Sequence, residues 1–192
     1  HLLNAYNVKE VIACATSAMR DASNSADIIR KVKLETGLAI EIISGDLEAS
    51  IIYENHIAEN MDVANSYMYI DVGGGSTELT FFTDGKLTFK HSFNLGTIRL
   101  LNDMVSDYQW DEMQDYIKTA TKGYKKIIAI GTGGNINKVF SLSKKKDGKP
   151  LSLDLLKDYY KEISNFTLED RINIYKLRND RADVIVPALQ IY

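Results

Sequence analysis

The chain has 192 residues, 45% hydrophobic and 26% charged, with a formal net charge of −3. That length supports one large domain or two small ones; the charge argues against binding DNA through its phosphates, and no apolar run approaches membrane-spanning length. The opening His1-Leu2-Leu3-Asn4 is neither a signal nor a transit peptide, and the single cysteine, Cys14, excludes an internal disulfide and fits a reducing, cytoplasmic setting.

In chain order, residues 1–10 read as the end of a helix and a connection. Val11 to Thr16 is a short apolar run, expected as a strand buried on both faces, with Cys14 a small buried residue on it. Ser25 is the expected N-cap of a helix from Ala26 to Glu35, with an apolar stripe of Ile28, Ile29, Val32 and Leu34 and a stop at Gly37. Ala39 to Ile43 reads as a second buried strand, and Ser44 as the cap of a helix from Gly45 to about Asn60 that includes Ile51, Ile52 and Ile57. Strand, helix, strand, helix at this spacing implies parallel pairing.

A second unit begins with a strand from Ser66 to Val72, a turn at Gly73-Gly74-Gly75 and a strand from Glu78 to Thr83. Asp84-Gly85 then signals a tight hairpin into a third strand, Lys86 to Phe93. Further on come a helix over about Trp110–Tyr124 and a buried strand over Lys126–Ile130. Gly131-Thr132-Gly133-Gly134 opens a helix to Leu142, and Lys144-Lys145-Lys146 reads as a solvated loop that could also guide a polyanion. Ser152 caps a helix to Ser164, Thr167 starts a short one, and Asp180 to Tyr192 reads as helical around Pro187. The order hairpin, third strand, helix, parallel strand, helix predicts an α/β protein of two lobes with a ribonuclease-H-like, actin-type fold.

The chemistry concentrates on Asp71 to Glu78. An aspartate at the end of a buried strand is poorly placed unless it binds something. Gly73, Gly74 and Gly75 let the backbone present N–H groups to an anion, and Ser76 and Thr77 add hydroxyls. Asp71 and Glu78 beside such a nest make sense if a hard cation such as Mg²⁺ bridges them to a phosphate. The turn Gly131, Thr132, Gly133, Gly134 leaves two readings open, a phosphate loop at a helix N-terminus or a close-packed turn. It is neither a Walker A loop nor a GxGxxG motif. Arg20 suits either a phosphate or a surface pair with Asp21, and Glu48 by itself reads as a first-turn acid favoured by the helix dipole. His56 and His91 have no metal-ligand spacing and are read structurally.

Six segments in order resemble the exopolyphosphatase / guanosine-pentaphosphate phosphohydrolase (Ppx/GppA) family. They are ATSAMRDASN from Ala15, EIISGDLEASIIY from Glu41, YIDVGGGSTEL from Tyr69, FNLGTIRL from Phe93, AIGTGGNINKV from Ala129 and RADVIVPAL from Arg181. The resemblance implies release of terminal phosphate from polyphosphate or pppGpp by metal-assisted attack of water. It places the general base on Glu48, the metal-side acids on Asp71 and Glu78, phosphate loops on Gly73–Ser76 and Gly131–Gly134, and a phosphate-side arginine on Arg20; Arg99 matches an arginine read as structural. Leu47 stands where the family often has a second glutamate. The resemblance also implies residues 1–51 as the end of a first lobe, residues 52–192 as a second lobe, and a homodimer as one assembly. Nothing before Val11 matches the family's first phosphate loop and the last motif is cut at Tyr192, so the expectation is a segment of a longer protein with little or no activity alone. An actin-like kinase or ATPase and a non-catalytic polyphosphate or nucleotide sensor are the competing readings.

Overall fold

The computed structural model describes residues 2–45, 47, 48, 51 and 62–192. Two sheets organise them. β1 (Ala13–Ala15) pairs in parallel with β2 (Ile40–Ile42), joined through helices Ser17–Asp21 and Ser25–Thr36. The second sheet has the order β5-β4-β3-β6, from β3 (Ser66–Val72), β4 (Thr77–Thr83), β5 (Lys86–Phe93) and β6 (Ile127–Thr132). β3, β4 and β5 run antiparallel as a meander, and β6 returns parallel to β3.

The meander follows from its turns. Asp84 and Gly85 both have positive φ, 52° and 69°, the geometry of the hairpin turn their sequence announces. β4 lies between two partners, and its residues from Thr77 to Phe82 are all buried. One face of the sheet carries Met68, Leu79, Phe81 and Phe93, which pack with Met113 of helix Asp107–Ala120 and with Ala188 and Ile191 of helix Ile185–Ile191. His91 lies here too, stacked on Tyr116 with ring centroids 4.3 Å apart, which agrees with its structural reading. A second cluster of Ile136, Val139, Ile163 and Ile185 joins the helices Gly134–Leu142, Leu153–Ser164 and Ile185–Ile191. Pro187 is the third residue of its helix, a first-turn position where the missing N–H has no helical acceptor to lose.

Several expectations change. Cys14 is exposed, because β1 alternates between a half-covered and an open face and Cys14 points to the open one. The helix after it is capped by Asn24 rather than Ser25. None of its residues is buried; Ile29 and Val32 are half-covered while Ile28 and Leu34 face out. β6 is not a buried strand: among the described residues it is an edge strand, and Ile127 and Ile128 are exposed. The expected helix beyond Gly45 lies mostly outside the described residues, as do Ile52, His56 and Ile57; its start is described, with the Ser44 hydroxyl accepting from the Leu47 N–H at 3.2 Å. The boundary expected between residues 51 and 52 adjoins that same segment. Among the described residues, no helix is long and apolar enough to cross a membrane.

Candidate active site

Strand register builds the site. Glu78 of β4 pairs with Ser92 of β5 and with Asp71 of β3, and Asp71 pairs with Thr132 of β6. Cross-strand partners project to the same face, so Ser92, Glu78, Asp71 and Thr132 form one row across all four strands. The row lies where β3 leads into its glycine turn and β6 into the second.

Glu78 is only 3% exposed. Its Oε1 accepts from the Ser92 hydroxyl at 3.0 Å. Burial pushes its carboxyl up to about 7; the hydrogen bonds from Ser76 and Ser92 hold it down, while the charges of Glu48 and Asp71 push it further up. A buried acid crowded by two other carboxylates is a site short of positive charge. Beside Asp71, the Thr132 hydroxyl is buried with no hydrogen-bond partner among the described residues. Among those residues no group of three or more His, Cys, Asp or Glu could hold a metal ion. Asp71 and Glu78 thus offer two carboxylates, not a closed cage. That donor set, with an unsatisfied hydroxyl at its edge, fits a hard cation that keeps water and takes phosphate oxygens as further ligands.

The first glycine turn closes with the Gly73 N–H donating to the Ser76 carbonyl at 2.9 Å. Its outward carbonyls cap helix Thr97–Leu101: Gly73 accepts from Thr97 at 3.0 Å, and Gly74 from Ile98 at 2.8 Å. The N–H groups of Gly74 and Gly75 have no acceptor among the described residues, so the turn keeps donors for an anion. Gly75 must be glycine here, since a Cβ would stand 2.2 Å from the Ser17 hydroxyl.

The second turn shows the close packing that was one of its two readings, and it also opens a helix. Gly131 lies inside β6, and a Cβ there would meet Ile136 at 2.9 Å and Tyr192 at 3.0 Å, which is close packing. Gly133, at φ +97°, N-caps the helix and lies against Asp71, whose Oδ1 would be 3.2 Å from a Cβ. Tyr192 donates its hydroxyl to the Thr132 carbonyl; burial, and then Asp71, push that hydroxyl's pKa up.

Glu48 approaches from the β1–β2 side, close enough for its charge to act on Glu78. Arg20 Nη1 donates to Glu48 Oε2 at 3.2 Å and to the Ile43 carbonyl at 2.8 Å. Arg20 is therefore not paired with Asp21. Asp21 instead meets Arg99, whose Nε donates to the Gly75 carbonyl at 2.6 Å. Leu47 is exposed.

The structure thus brings together Glu48, Arg20, Asp71, Glu78, Gly73–Ser76 and Gly133–Gly134, and leaves Gly131 to packing. Ser92, Ser17, Tyr192 and Arg181 escaped sequence reasoning. Arg181 lies over the second turn, with its Nη1 2.4 Å from where a Gly134 Cβ would be, and no carboxylate among the described residues pairs with it. Counting outward from Asp71 through the three antiparallel strands would have found Ser92; Ser17 and Arg181 lie in segments that carry the family resemblance but drew no role there, and nothing local marks Tyr192.

The chain resembles known proteins along its whole length. The chain matches the family model described as the Ppx/GppA phosphatase family over residues 1–192. It is 28% identical over 190 residues to a bifunctional 3-dehydroquinate synthase/phosphatase of Fusobacterium nucleatum, covering 91% of this chain and 28% of that protein. It is 26% identical over 197 residues to exopolyphosphatase 1 of Mycobacterium leprae, covering 92% of this chain and 58% of that one. The chain therefore spans well under two thirds of the length of these relatives. A crystal structure of an exopolyphosphatase from Cytophaga hutchinsonii superposes on 99% of this chain and 68% of its own, with a TM-score of 0.79 at 24% identity. The fold is the mixed α/β fold of that exopolyphosphatase.

Proposed function

The chain belongs to the Ppx/GppA phosphatase family, and from that premise and the site's geometry we propose that it carries the hydrolytic site of a phosphohydrolase. The substrate is a terminal phosphoanhydride, of inorganic polyphosphate or of pppGpp. The observation that carries this reading is the register row Glu78–Asp71–Thr132 at the mouths of two glycine turns, with Glu48 facing it from the other sheet.

In this reading the free N–H groups of Gly74 and Gly75 hold the terminal phosphate, while the Ser76 hydroxyl, expected to join them, is taken up by Glu78. The turn before helix Gly134–Leu142 adds the positive end of that helix. Asp71 and Glu78 would hold a divalent cation such as Mg²⁺, which would supply charge neutralisation for the phosphate. Glu48 orients the attacking water and accepts its proton, held in place by Arg20 from behind. Phosphoryl transfer needs little covalent help from protein; placement and charge compensation supply most of the rate. Arg20 thus acts on the base, and its task as a phosphate-side arginine rests on the family resemblance alone.

The test is substrate loss by the intact protein offered long-chain polyphosphate, pppGpp and ATP in turn. Phosphate release from either of the first two is expected. Glu48→Gln should cut turnover by about 10²–10⁴-fold while substrate binding persists. Turnover surviving Glu48→Gln would remove it as the base, and release from ATP alone would favour a kinase-like ATPase.

A further inference from the structure

The short helix Ser17–Asp21 touches both halves of the site, and its successive residues reach different ones. Arg20 holds Glu48 at 3.2 Å. Asp21 accepts from Arg99, whose Nε holds the Gly75 carbonyl at 2.6 Å. Ser17, buried at 7% exposure, abuts Gly75 itself. A cavity of about 310 Å³ lies beside this contact, walled by Ser17, Ala18 and Asp21 on one side and by Gly74, Ile98 and Arg99 on the other. An unbroken path of hydrogen bonds and one rigid turn of helix therefore joins the base to the phosphate turn.

We propose that Arg99 and Asp21 are positioning residues, a clasp that sets the distance between Glu48 and a phosphate seated on Gly73–Ser76. This rests on the hydrolytic reading above. Asp21 is half exposed, at 53%, while Arg99 is 15% exposed. An ion pair with one solvated partner contributes little to stability, so the pair is poorly suited to holding the fold together. Its geometry suits another task. Nε grips the turn and the other end of the guanidinium grips the helix, a two-ended hold that a lysine cannot reproduce. A misplacement of reacting groups by about 1 Å can cost about 10²-fold in rate, so a clasp that adds little stability still controls rate.

The experiment compares Asp21→Asn, Arg99→Lys and the double variant with the wild-type intact protein. The expected result is a fall in kcat of about 10- to 100-fold, with KM within about twofold and thermal midpoints nearly unchanged. Because both residues act through one contact, the double variant should be no worse than Arg99→Lys alone. A second measurement needs no turnover. Cys14 is exposed, so with any cysteine outside these 192 residues replaced, a spin label there and another on Lys122→Cys, in the turn that precedes β6, report the separation of the two sheets. Asp21→Asn should broaden that distance distribution. Unchanged kcat with an unchanged distribution overturns the clasp, as does a loss of thermal midpoint and a rise in KM with the distribution still narrow. If the wild type releases no phosphate from any phosphoanhydride, the hydrolytic reading fails, and the distance measurement still decides whether the clasp exists.

Discussion

Glu78→Gln should make the protein more stable at neutral pH and leave it unchanged in mild acid. Glu78 is 3% exposed, and its carboxyl is raised from 4.5 to about 7. At about 1.36 kcal/mol per pKa unit, that difference corresponds to roughly 3 kcal/mol. Its sign follows from proton counting. Between pH 4.5 and 7 the folded protein keeps a proton on Glu78 that the unfolded chain has released. Stability therefore falls with rising pH across that window, and the loss is complete above about pH 7. Glutamine resembles the protonated acid in shape and still accepts from Ser92, but it never ionises.

The assay is urea denaturation of both proteins from pH 4.5 to 8 in the presence of EDTA, so that no cation masks the effect. The difference between variant and wild type should start near zero and grow to roughly 3 kcal/mol in favour of Glu78→Gln. Other acids titrate in both proteins and cancel in the difference. Parallel profiles would mean that Glu78 does not titrate in this window, and a wild type that gains relative stability towards pH 8 would reverse the assigned cause. Either result would also remove the picture of a carboxylate row short of positive charge.

Two further outcomes test neighbouring parts of the site. Stripping divalent cations with EDTA should abolish phosphate release and Mg²⁺ should restore it, with Asp71→Asn demanding a much higher Mg²⁺ concentration; release that persists in EDTA would refute the seat assigned to Asp71 and Glu78. Gly96→Ala should lower the thermal midpoint far more than Gly134→Ala. A Cβ at Gly96 meets backbone, the Gly74 carbonyl oxygen at 2.5 Å and the Ser76 nitrogen at 2.6 Å, whereas the nearest atoms to one at Gly134 belong to the movable end of Arg181. The first is overpacking worth about 1–3 kcal/mol, and equal midpoints would show that the turn and its helix are not as tightly joined as described.

Local signals were legible wherever the chain's own chemistry decides the outcome. β3 and β5 run over the residues their alternation and turns implied, Ser66–Val72 and Lys86–Phe93. Gly37 stops its helix in the left-handed conformation at φ 76°, and Thr167 with Asp170 makes a capping box, each a matter of a few adjacent residues. The misreadings concern neighbours far away in sequence. Cys14 and Ile127 look like buried strand residues because their runs are apolar, yet burial needs a second layer on each face, and periodicity does not count layers. Arg20 was open to pairing with Asp21 because the two are adjacent, but successive residues of a helix point apart. The helix therefore turns Arg20 to Glu48 and Asp21 to Arg99, partners 28 and 78 residues along the chain. The same separation explains the candidate site. Motifs identified Asp71, Glu78 and the glycine turns one by one, and strand register made them a row. Burial raises the carboxyl of Glu78, and the charges of Glu48 and Asp71 raise it further; under the proposed function, a cation between Asp71 and Glu78 and a phosphate on the first turn's free donors would relieve that cost.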